Sequence, residues 1–99
     1  EKVKKLTMEL GMKAMANKNE VGAAAVPYLR VVGHFVYAFL FAKMAKISLD
    51  KKDSGDDFYK AKLATARFYF AKLLPETAYQ IRVARSGSES LMALDAELF

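Results

Sequence analysis

The chain has 99 residues, 54% of them hydrophobic and 27% charged, with 16 basic and 11 acidic side chains for a net charge of +5. That length argues for one domain, and seven Phe, five Tyr and five Met supply the bulk for a core, in a charge balance typical of folded rather than disordered chains. The absence of Cys excludes disulfides, thiol catalysis and thiolate metal sites, and the scattered lysines (Lys2, Lys4 and Lys5; Lys43 and Lys46; Lys51 and Lys52; Lys60 and Lys62) form no run that would make a nucleic-acid arm.

The opening Glu-Lys-Val-Lys-Lys reads as the inside of a helix, as in a fragment of a longer protein, and the first apolar stretch is amphipathic rather than a signal-peptide core. Periodicity predicts a first helix from Lys2 to Met15 or Ala16. Val3, Leu6, Leu10 and Ala14 share one face, which is expected to meet the domain's own core. Met8, Met12 and Met15 form a second stripe on the opposite side, which reads either as a further core stripe or as a candidate interface with a partner. Gly11 weakens this helix by about 1 kcal/mol relative to Ala. Asn17-Lys18-Asn19 ends it, with Asn19 as N-cap of the next.

A second helix is predicted from Glu20 to Ile47 or Ser48, kinked or broken near Ala25 and Val26 by Pro27. Beyond the proline it is apolar nearly all round: Val31, Val32, Phe35, Val36, Phe39, Leu40 and Phe41. That pattern belongs to a buried central helix. Arg30, His34 and Tyr37, at i, i+4 and i+7, make its polar stripe and are expected to form a buried polar cluster. The uncharged run from Val31 to Ala42, His34 aside, is shorter than the roughly 20 residues of a membrane span, so none is expected.

Leu49 to Gly55 reads as a hydrophilic loop, with Asp53 or Ser54 capping a third helix from Asp56 to Arg85. Tyr59, Leu63, Ala66, Phe70, Leu73 or Leu74, Thr77 and Ile81 form its core stripe, and Lys60, Arg67, Arg82 and Arg85 a solvated edge. Pro75 must kink it or split it after Leu74. Ser86-Gly87-Ser88 stops it, with Gly87 as a left-handed cap, and a short helical turn follows through Leu91–Leu94. The expected fold is all-α: a single domain over residues 1–99, an antiparallel bundle of three long helices with kinks at Pro27 and Pro75. Phe35, Phe39, Phe70 and Leu73 are expected to be largely buried.

Chemistry is sparse. His34 is the one histidine, and with no nucleophile or orienting carboxylate beside it in sequence it reads as a hydrogen-bonded structural side chain. Asp50, Asp53, Asp56 and Asp57 lack an EF-hand arrangement, and no phosphate-cradling or nucleophile-elbow motif is present. No catalytic and no metal-ligating residue is nominated.

Three segments in series resemble one family. They are Pro27-Tyr28-Leu29-Arg30-Val31-Val32-Gly33 with the aromatic helix after it; Lys62-Leu63-Ala64-Thr65-Ala66-Arg67-Phe68-Tyr69 with Leu73-Leu74-Pro75-Glu76-Thr77-Ala78; and Gly87-Ser88-Glu89-Ser90-Leu91-Met92-Ala93-Leu94. Together the chain resembles the extra C-terminal helical domain of long acyl-CoA dehydrogenases, the acetyl-CoA dehydrogenase-like C-terminal domain. The resemblance implies a parent flavoprotein of fatty acid metabolism that binds FAD, removes a proton α to a thioester carbonyl with a carboxylate and passes hydride from the β-carbon to flavin. It implies that the catalytic Glu lies upstream, so Glu76 is not nominated as the base and no cofactor is expected in this fragment. The implied partners are the remainder of the parent enzyme and a second copy in a homo-oligomer, in the cytoplasm, without nucleic acid. A free-standing helical protein–protein interaction module is the alternative.

Overall fold

A computed structural model describes residues 1–99 apart from the side chain of Lys52. It is all-helical, with no strand among the described residues: α1 (Lys2–Ala16), α2 (Asn19–Lys51), α3 (Asp57–Phe68), a π-helical turn (Tyr69–Leu73), α4 (Glu76–Arg85) and the one-turn α5 (Glu89–Met92). A 3-10 turn, Ala96–Leu98, closes the chain. Burial falls in two compact units, residues 1–32 with 77–99, and residues 33–76.

In the first unit, α1, the start of α2 and α4 enclose Leu6, Ala24, Val31 and Ala84, with Val3, Leu10, Tyr28 and Ile81 packed against them. Leu6 and Val31 are fully buried. Alanines on α2 and α4 let the helices approach closely enough for Leu6 to fill the space between them. The Glu9 carboxylate accepts two hydrogen bonds from the Arg85 guanidinium, at 2.7 and 3.3 Å, while Arg85 stays exposed on the expected solvated edge. Gly87, at φ 81, ends α4 in the left-handed region, where glycine has no Cβ to strain. That turn aims the Ser88 N–H and hydroxyl at Glu20 Oε1, 3.2 and 2.8 Å away.

The second unit pairs the rest of α2 with α3 and the π turn, and buries Ser48, Ala66 and Tyr69. The Asp56 side chain caps α3 by accepting from Phe58 N at 2.9 Å, so neither Asp53 nor Ser54 is the cap. Ser54 instead accepts from Asp56 N at 3.4 Å.

Several sequence expectations are corrected. The first is the break allowed for at Pro27: α2 passes through that residue without one, and Pro27 is buried. Helix α2 also begins at Asn19, so it is Asn17 whose side chain accepts from Asn19 N, at 3.0 Å. The same helix extends to Lys51 and continues as a 3-10 turn to Ser54, where a loop was expected. The third helix is divided. Leu74 N donates to Tyr69 O at 2.9 Å, an i→i+5 bond that opens the spiral one residue wide just before Pro75, which has no N–H to continue it.

The largest correction concerns burial. Phe35, Phe39, Phe70 and Leu73 are exposed, between 38% and 58%. The all-round apolarity of α2 does not mark its inner face, which is carried by Ala24 and Val31 in the first unit and Ser48 in the second. On the third helix Tyr69 takes the inward position and Phe70 turns out.

Candidate functional site

The polar chemistry of the second unit gathers around His34. Its side chain is 12% exposed. His34 Nδ1 lies 3.0 Å from Tyr69 Oη, and Nε2 lies 2.9 Å from Glu76 Oε2. The Tyr69 hydroxyl donates to the His34 carbonyl at 3.1 Å. Both ring nitrogens therefore have an oxygen partner within hydrogen-bond distance, the Tyr69 hydroxyl at Nδ1 and the Glu76 carboxylate at Nε2. Burial pushes the Tyr69 hydroxyl above its ordinary range, with Tyr37 adding to the shift, which keeps the phenol neutral as a donor.

Aromatic rings enclose the group. Phe41 stacks on Tyr69 at 4.4 Å, and Tyr37 and Phe70 meet it edge-on at 6.4 and 5.5 Å. The π turn explains the placement: the residue added to that turn brings the Tyr69 ring inward and sets Glu76 at the start of α4. Chemically the cluster joins α2 to the helix ends after it. It offers a positioned imidazole–carboxylate pair but no nucleophile.

The stripe Arg30, His34 and Tyr37 is not a buried cluster. Arg30 and Tyr37 are exposed, and His34 finds Tyr69 and Glu76 across the unit instead. Sequence reasoning missed both partners: Tyr69 lies beside Phe70, which fits the helical period better, and Glu76 is more than forty positions from His34. The groups Glu9 with Arg85 and Glu20 with Ser88 carried no sequence signal beyond opposite charge or capping chemistry. No group of three or more metal-ligating side chains occurs among the described residues.

The second feature is apolar surface. Met8, Met12 and Met15 are exposed, from 63% to 90%. Beside them the α1–α2 hairpin forms a groove of about 550 Å³ lined by Leu10, Gly11, Ala14, Val21, Ala25 and Leu29. Thr7 and Tyr28 supply its hydroxyls, 2.6 Å apart. Thr7 donates to Val3 O at 2.9 Å, so Tyr28 donates to Thr7, and both protons are spent inside the protein. Helix α2 is also long and apolar enough to cross a membrane, with 33 residues and a mean hydropathy of 1.4 over an 18-residue window of which 22% is buried. Counting only the uncharged run did not reveal this.

A family model described as acetyl-CoA dehydrogenase C-terminal like matches residues 1–95. No curated protein and no solved structure matches the chain.

Proposed function

Because the chain belongs to the acetyl-CoA dehydrogenase C-terminal-like family, we propose that it is the accessory C-terminal domain of an FAD-dependent acyl-CoA dehydrogenase, packed on the catalytic body or on a dimer partner in the cytoplasm. The family match over residues 1–95 carries this reading. The exposed stripe Met8, Met12 and Met15 supports it, because adaptable apolar side chains turned outward suit a protein contact. In that setting residues 1–99 act as one domain, the helices α1, α2 and α3–α4 serve as the three members of an antiparallel bundle, and the apolar side of α2 is covered by protein rather than lipid.

The flavin is assigned to the parent body and not to this chain. A dinucleotide needs donors for its pyrophosphate and ring edges, whereas the groove here is apolar and its two hydroxyl protons are already engaged. The proposed role is therefore to support a site built elsewhere in the enzyme that removes hydrogen across the α and β carbons of an acyl-CoA thioester.

The test has two parts. The encoding reading frame is followed upstream for a flavin-binding body, and Met8, Met12 and Met15 are replaced together by Gln. In the full-length enzyme the triple replacement lowers stability or disrupts assembly; in the chain studied alone it leaves thermal stability nearly unchanged. A preparation of this chain alone that is yellow and oxidises an acyl-CoA overturns the accessory reading, as does a reading frame with no such body.

A further inference from the structure

We propose that the pocket between α1 and α4 binds a small phosphate monoester. The site lies apart from the methionine stripe and does not depend on the accessory-domain reading. Both helices belong to the first unit. Their seam opens into a pocket of about 320 Å³ lined by Lys2, Lys5, Ala78, Ile81 and Arg85. Ala78 and Ile81 give it an apolar floor, and every charged side chain that lines it is a cation. Lys2 and Lys5 stand three positions apart, so they share a face of α1, whose first turn carries no acidic side chain. Neither ammonium belongs to an ion pair or a side-chain hydrogen bond among the described residues.

The third cation is only partly spent. Glu9 takes the Nε and Nη2 side of the Arg85 guanidinium, which leaves the N–H donors of Nη1 without a partner among the described residues. That hydrogen bond holds Glu9 below the ordinary carboxylate range, and the charges of Lys5 and Lys13 add to the effect. The Lys13 ammonium donates to the Arg85 carbonyl at 3.2 Å, at the far end of the same seam. Lys2, Lys5, Lys13 and Arg85 thus face the carboxylates of Glu1 and Glu9 alone along α1, and the excess is positive.

Geometry selects the anion. A carboxylate offers two oxygens, which one side of a guanidinium satisfies, as Glu9 does. Cations brought from three positions on two helices call for three oxygens around one centre, which a phosphoryl group supplies along with close to two negative charges. The volume is at the lower end of small-molecule sites and exceeds what a phosphoryl group alone would fill, so the group esterified to it has room over Ala78 and Ile81.

The test titrates phenyl phosphate into the chain at low ionic strength, by calorimetry and ³¹P NMR. The chain is acetylated at Glu1, so that no α-amino charge stands beside Lys2. Phenyl phosphate is expected to bind saturably, at least about tenfold more tightly than acetate. Lys2→Gln and Lys5→Gln should each weaken it at least about fivefold. Lys4→Gln removes the same charge from the same turn without lining the pocket, and should change it less than about twofold. Ala78→Glu sets a carboxylate on the floor and should abolish binding. All four positions are exposed, and unchanged circular dichroism confirms that the variants fold. Equal losses for Lys4→Gln and Lys5→Gln overturn the proposal, because attraction would then come from overall charge. So does acetate binding as tightly as phenyl phosphate, binding that survives Ala78→Glu, or the absence of saturation below about 10 mM. A single-stranded oligonucleotide that binds more tightly than phenyl phosphate, with the same loss in Lys5→Gln, overturns it in favour of a nucleic-acid backbone.

Discussion

Leu6→Ala tests whether the first unit is organised around the residues described. Leu6 is fully buried, against Ala24, Val31 and Ala84. Truncation removes three carbon groups worth about 0.8 kcal/mol each in transfer, and a cavity adds to that. The neighbours on α2 and α4 include two alanines, which are too short to swing into the space, so relaxation is left to Val3, Leu10, Tyr28, Val31 and Ile81. The expected loss is about 3–4 kcal/mol. Against the roughly 5–15 kcal/mol that holds a domain of this size, that is a large fraction, and it lowers the melting temperature by more than about 12 °C. Urea unfolding followed by far-ultraviolet circular dichroism measures it, with Met12→Ala alongside as the exposed control, expected to stay within about 0.5 kcal/mol. A loss below about 1 kcal/mol for Leu6→Ala, or an equal loss for Met12→Ala, refutes the assignment of the inner face of α1.

Three further outcomes are expected. Tyr69→Phe keeps the stack on Phe41 but strips His34 of its hydroxyl partner at both Nδ1 and the carbonyl, costing about 1–3 kcal/mol in urea unfolding with the aromatic circular dichroism signal retained. Gly87→Ala forces a side chain into the left-handed region at φ 81 and sets its Cβ 3.4 Å from the Glu20 carboxylate, for a loss of about 1–2 kcal/mol by the same assay. The pH response follows from two glutamates held below the ordinary carboxylate range: Glu20 by hydrogen bonds from the Ser88 hydroxyl and N–H, and Glu9 by its hydrogen bond from Arg85. Because their folded values are depressed, their contribution is present above the unfolded value of about 4.5 and is lost as pH falls through the folded values. Unfolding midpoints should therefore decline below that pH, and Glu20→Gln should flatten the decline.

The parts of the fold that were legible in the sequence are those where polarity and period agree. On α1 the Val3, Leu6 and Leu10 stripe stands out from the lysines around it, and it is the stripe that packs. Gly87 announces a helix end because few other residues accept that backbone, and Pro75 announces a break because its ring cannot continue the hydrogen-bond ladder. Proline alone was not decisive. Pro27 lies in an equally helical stretch and is absorbed without a break, so what separates the two is the widened turn at Tyr69–Leu73, a feature of spacing that no single residue encodes.

On α2 the signal fails for a physical reason. A helix that is apolar on every side gives no contrast from which to choose an inner face, and bulk then misleads: Phe35 and Phe39 are the largest side chains, yet Val31 and Ser48 are the ones enclosed. The inner face is chosen by fit. Small residues allow close helix approach, and His34 is held where Tyr69 and Glu76 can reach it. The large side chains are left on the surface.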